Sequence, residues 1–132
     1  MSDIVNTIEE YEAVVAEYSS HLFTVQIPDS LAMEIVEDHP EHREDLARNK
    51  TISEPVIRAL AVDEDPEVRW RIAHKRATPA DVQIKLASDP SEDVRISICR
   101  NPKVPREALE LLADDPVDWI REKARQRLEG NS

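Results

Sequence analysis

Apolar residues recur along this chain at helical spacing. Val56 and Leu60, Val82 and Leu86, and Ala108 and Leu112 are pairs four apart. A second set lies between and after them: Val68 and Ile72, Val94 and Ile98, Ile120 and Ala124. Residues four apart share one face of a helix, so the pattern predicts short amphipathic helices arranged in pairs. Within each set corresponding positions recur at an offset of 26 residues, and Arg69 likewise returns as Arg95 and Arg121. A fixed period of this size marks a stacked repeat array. The first helix of each pair opens near Pro55, Pro79 or Pro105, where a missing N–H is no loss. Thr78 and Asp81 have capping-box spacing around Pro79. Helices this short are marginal alone, so their stability must come from stacking.

Upstream the pattern is looser. Ile4, Ile8, Tyr11, Val15 and Tyr18 predict an amphipathic helix over residues 3–18, capped by Ser2 or Asp3. Residues 22–28 alternate weakly, but nothing else in the chain offers a strand to pair with, so an extended connector is expected. From Asp29 a degenerate opening repeat begins: Arg43, Pro40 and Ala47 are in register with Arg69, Pro66 and Ala73. The expected organisation is an acidic cap, 1–28, on a repeat array, 29–132, with one degenerate and three good repeats, in a single domain. The fold class is all-α: a short right-handed α-solenoid of stacked two-helix repeats with an N-terminal capping helix.

Composition agrees with packed helices. The chain of 132 residues holds five aromatics and a single glycine, Gly130, so its core is mostly Ala, Leu, Ile and Val. Its single cysteine, Cys99, excludes an internal disulfide and is expected to be a buried, inert thiol. No basic leader followed by an apolar run and no membrane-length apolar stretch is present, and a cytoplasmic location is expected. The net charge of −11 is concentrated early: residues 1–48 carry 12 acidic and 2 basic side chains. Such a field repels nucleic acid and anionic membranes and favours a basic partner.

Asp63, Val68-Arg69 and Ala73, with their echoes Asp89, Val94-Arg95, Asp115 and Ile120-Arg121, resemble the HEAT-like repeat family. With Asp89-Pro90, Asn101-Pro102 and Pro105 added, the chain is closer still to the leucine-rich repeat variant. The resemblance covers about residues 29–128 and departs at Lys75-Arg76, where Asn-Pro is the pattern. It implies an all-helical solenoid that acts mostly as a protein-binding scaffold. Some relatives carry an iron–sulfur cluster on N-terminal cysteines, which this chain lacks, and no cofactor is expected.

Arg69, Arg95 and Arg121, each six residues after Asp63, Asp89 or Asp115, form a ladder in step with the repeat. Because it follows the folding period, it is read as structural: each guanidinium fork fixes the inter-helix turn of its own or the adjacent repeat. His39 and His42 lie three apart, but Pro40 intervenes and no third ligand is evident, so no metal site is expected. No phosphate loop or nucleophile motif is present, and an enzyme is not expected. Partner-binding positions are sought where the repeats differ. Trp70, Arg71, His74, Ile96 and Arg100 sit at non-core positions of the second helices, the composition of a binding hot spot. An alternative use of Trp70 is to cover the junction with the N-terminal helix. Trp119 is expected to seal the C-terminal end.

These features favour a non-enzymatic protein–protein interaction module, binding through the second-helix face or the acidic cap. One alternative is an immunity- or antitoxin-like inhibitor of a basic effector. Another is a HEAT-like nucleic-acid binder, supported by Arg71, Lys75, Arg76, Arg100, Lys103 and Arg106 but opposed by the overall charge. No small-molecule ligand is expected.

Overall fold

The computed structural model describes residues 4–17 and 20–130. Among them the regular structure is helical, with one isolated parallel bridge between Ile4 and Gln26. The chain divides into two compact units, one running to Val62 and the other beginning at Asp63.

The first unit contains α1 (Ile8–Ala16), α2 (Asp29–Asp38), α3 (Arg43–Arg48) and α4 (Glu54–Leu60), with 3-10 turns at Ser20–Phe23 and Pro40–His42. Helix α1 starts later than the residue pattern predicts. Thr7 is extended (φ −130°, ψ 158°), and its hydroxyl accepts the Glu10 N–H at 3.1 Å, a side-chain cap that fixes the first turn. Ile4 is therefore outside the helix and 41% exposed, while the Val5 N–H donates to Gln26 O at 3.0 Å. The proposed caps Ser2 and Asp3, and Tyr18, lie outside the described residues.

The segment 22–28 is a connector but not extended throughout, since Leu22 and Phe23 belong to the Ser20–Phe23 3-10 turn, and side-chain and backbone groups from beyond α3 hold it. Buried Asn49 donates through Nδ2 to Leu22 O and Val25 O, both at 2.9 Å. The Lys50 N–H donates to Phe23 O at 2.7 Å, and the Ile27 N–H donates to Thr51 Oγ1 at 3.3 Å. Polar backbone without a neighbouring strand is thereby satisfied. Tyr11, Val25, Ile35 and Leu46 form the covered interior, each at 0% exposure, and α2 packs against α3 and α4.

The second unit contains α5 (Pro66–His74), α6 (Ala80–Leu86), α7 (Glu92–Arg100), α8 (Arg106–Leu112) and α9 (Asp118–Leu128). Helix α7 packs against both α5 and α9, and α6 packs against α8. The apolar pairs four apart face inward: Val68, Ile72, Val94, Ile98, Ile120 and Ala124 are all at most 2% exposed. Covering one such valine or isoleucine contributes roughly 1.5–3 kcal/mol. Gly130, at φ +87°, follows α9, and its N–H reaches Arg127 O at 3.1 Å. A left-handed residue just past a helix end favours glycine. Among the described residues no helix is long and apolar enough to cross a membrane.

Candidate functional site

Two kinds of side chain stand out in the second unit: those that tie its turns together and those that line a groove. The ties begin at aspartates in the inter-helix turns. Oδ1 of Asp63, Asp89 and Asp115 accepts the N–H of Asp65, Ser91 and Val117, each at 2.9 Å. The carbonyls of the same aspartates accept from Nη1 of Arg69, Arg95 and Arg121 at 2.8, 2.9 and 2.8 Å. Arg69 Nε then reaches forward to Asp89 Oδ2 at 2.8 Å, and Arg95 Nε to Asp115 Oδ2 at 2.8 Å. Nη2 completes each fork at 3.2 and 3.4 Å. The hydrogen bonds to Asp89 raise the Arg69 pKa above its ordinary value, against the opposing effect of burial. Arg121 instead pairs with Asp118, whose side chain is 91% exposed. Arg43, the first arginine of the series, lies in the first unit, where its Nε donates to Val36 O at 2.7 Å.

A second set of ties was not apparent from residue types alone. Asn101 Nδ2 donates to Ala73 O and Lys75 O, both at 2.9 Å, and 26 residues later Arg127 Nη1 donates to Cys99 O and Asn101 O at 2.7 and 2.9 Å. An amide and a guanidinium do the same work at matched positions. The signal available in the sequence was the register, not the residue type.

The groove, of about 500 Å³, lies on the α5–α7–α9 side of this unit. From α5 and the turn after it come Trp70, His74 and Arg76; from α7 come Asp93, Ile96 and Arg100; from α9 comes Trp119. Four of the five expected partner-binding residues thus share one concavity. Arg71 does not line it, but its guanidinium lies 4.2 Å from the Trp70 ring centre. The His74 ring stacks on Trp70 at 5.8 Å, tilted by 21°. Ile96 differs from expectation. It is only 6% exposed, because α7 is flanked on both sides and even its non-core positions are covered.

Trp119 also departs from its expected role as an end seal. It is 46% exposed, donates its indole N–H to Glu92 Oε1 at 3.2 Å, and lines the same groove as Trp70. Its position in the first turn of α9 turns it toward α7. The Arg100 guanidinium lies 5.8 Å from its ring centre. Arg76, named above only for the nucleic-acid alternative, and Asp93, which the residue pattern does not mark as a site, also line the groove, with Ser97, Asn101 and Pro102.

Other candidate chemistry is scattered. Cys99 is fully buried; burial pushes its thiol pKa up, and Arg127, Lys123 and Arg100 pull it down less strongly. In the first unit His42 Nε2 lies 2.9 Å from Glu12 Oε2 and packs edge-on against Tyr11, with ring centres 5.4 Å apart. His39 lies 3.7 Å from both Glu34 and Glu41. Among the described residues no group of three or more His, Cys, Asp or Glu side chains is placed to hold a metal ion.

No protein-family model matches the sequence, and neither a curated protein nor a solved structure matches it significantly.

Proposed function

We propose that this protein is a non-enzymatic protein-interaction module whose second unit binds a partner protein through the Trp70–Trp119 groove. On this reading the second unit is a short right-handed stack of two-helix repeats with a 26-residue period, related to HEAT-like and leucine-rich repeat variant proteins. The observation that carries the reading is two partly exposed tryptophans facing one groove with arginines beside them. Tryptophan and arginine are the side chains that most often dominate binding energy at protein interfaces. The recurring Arg–Asp ties are scaffold, leaving the residues that differ between turns to meet the partner.

The test is affinity capture from the source cell with wild type and a Trp70→Ala/Arg100→Ala variant, with circular dichroism to show that both remain helical. A protein retained by the wild type and lost by the folded variant supports the reading. Recovery of nucleic acid alone, washed off by moderate salt, overturns it.

A second reading rests on charge. The residues up to Val62 carry 13 acidic and 4 basic side chains, which suits an inhibitor that covers a basic effector. It is supported instead if a basic protein stays bound to the groove variant but is lost from a Glu9→Gln/Glu37→Gln/Asp38→Asn variant.

A further inference from the structure

We propose that the groove of the second unit takes a short acidic segment of a partner protein, with one apolar side chain set between Trp70 and Trp119 and carboxylates on Arg76 and Arg100. This rests on the protein-binding reading above and names the chemistry of what is bound. In a chain of net charge −11, exposed arginines are expected to find acidic neighbours. The exposed Arg48, Arg106 and Arg125 form no ion pair among the described residues; the exposed Arg58 does, and so do the partly buried Arg69, Arg95 and Arg121. Arg76 and Arg100 do not: both are exposed, and neither guanidinium has an ion pair or hydrogen bond among the described residues. Both line the same groove, with a single carboxylate, Asp93, against them. Two guanidinium forks beside one apolar concavity match a segment bearing carboxylates on either side of a hydrophobic residue. Ile96, at 6% exposure, and the two indoles supply the apolar contact.

A single-stranded nucleic acid fits less well. Stacking platforms for bases need open aromatic faces. The Trp70 ring is already accompanied by Arg71 at 4.2 Å and by His74 at 5.8 Å. The Asp93 carboxylate and the negative net charge also oppose a long polyanion far more than a segment with two or three charges.

The experiment is selection of a random twelve-residue peptide library on the full-length protein. Recovered peptides are then titrated by tryptophan fluorescence, which reports on the groove alone because Trp70 and Trp119 are the only tryptophans in the chain. The expected result is enrichment of net-negative peptides with one large apolar residue. Their binding should shift the tryptophan emission and weaken at least about tenfold in an Arg76→Ala/Arg100→Ala variant, the scale of losing charge-assisted hydrogen bonds. Enrichment of basic or uncharged peptides overturns the proposal while leaving the protein-binding reading intact. So does acidic binding that ignores the double variant, or tighter binding of an oligothymidylate probe. Self-association seen by light scattering and abolished by the double variant overturns it in favour of a second copy as occupant. An empty selection alongside a captured cellular partner also overturns it; an empty selection with no captured partner removes both readings.

Discussion

The two units answer the same demand with different chemistry. Both must satisfy backbone groups at the ends of short helices. In the second, an aspartate and an arginine recur at each turn, with matching atoms at matching distances. In the first, an amide and a hydroxyl, Asn49 and Thr51, hold one irregular connector. Charge follows the same division. From Asp63 on there are 15 acidic and 13 basic side chains, so carboxylates have guanidinium partners close by, whereas up to Val62 acids outnumber bases by 13 to 4. A recurring ion pair suits a recurring turn, while a neutral side chain with both donor and acceptor atoms adapts to a segment that occurs once. Asn101 is where the two solutions meet, clamping two carbonyls in the second unit as Asn49 does in the first.

The largest effect should come from breaking an ion pair that holds two turns. Asp115 is 5% exposed, accepts from both Nε and Nη2 of Arg95, and caps Val117. Asp115→Ala should cost about 3–5 kcal/mol in urea unfolding, because it leaves the Arg95 guanidinium without its carboxylate. Asp118→Ala, which removes the exposed partner of Arg121, should cost less than about 1 kcal/mol. Equal losses would mean that the forward ties do not distinguish the turns energetically.

Next is Asn49→Ala, expected to cost about 2 kcal/mol by removing the side-chain partner of the Leu22 carbonyl and of the Thr51 N–H, while the Val25 carbonyl keeps Thr51 Oγ1. Amide exchange should accelerate first in the first unit, at residues 22–27. Uniform acceleration through residues 66–128 would contradict a local role.

The smallest effect concerns Tyr11, fully buried with a hydroxyl that finds no hydrogen-bond partner in the described structure. Burial, with a smaller contribution from Asp45, raises the pKa of its phenol in the folded chain. In the unfolded chain the phenol titrates near its ordinary value, about 10. The contribution of this group to stability is therefore complete below about pH 10 and is lost as pH rises beyond it, since the unfolded state then binds fewer protons. Tyr11→Phe should change stability at neutral pH by no more than about 1 kcal/mol and flatten the alkaline decline. An unchanged alkaline limb would assign that decline to other groups.

Much of the second unit was legible because burial and register coincide. Val68, Val94 and Ile120 could be placed inside from spacing alone, and Arg69, Arg95 and Asp89 could be grouped by their offset. Residues whose role depends on a neighbour far along the chain were harder. Trp119 is 49 residues from Trp70, not a multiple of 26, so periodicity gave no reason to put both on one groove. Arg127 carries out the clamp of Asn101 with a different functional group, which hides it from any search by residue type. Ile4 misled because it lies four residues before Ile8, a spacing that also fits a helix; the Thr7 cap overrides it. The groove itself was less legible, since its lining residues are those at which the repeating pattern breaks.

The reach of the ties has a kinetic consequence. In the second unit the side-chain bonds that join one turn to another span 20 to 28 residues. Closing a loop of that size costs less entropy than closing one across the whole unit, and each closure requires only segments nearby in sequence to be in place. Folding of this unit therefore relies on contacts short in sequence, which favours the rates typical of helical chains.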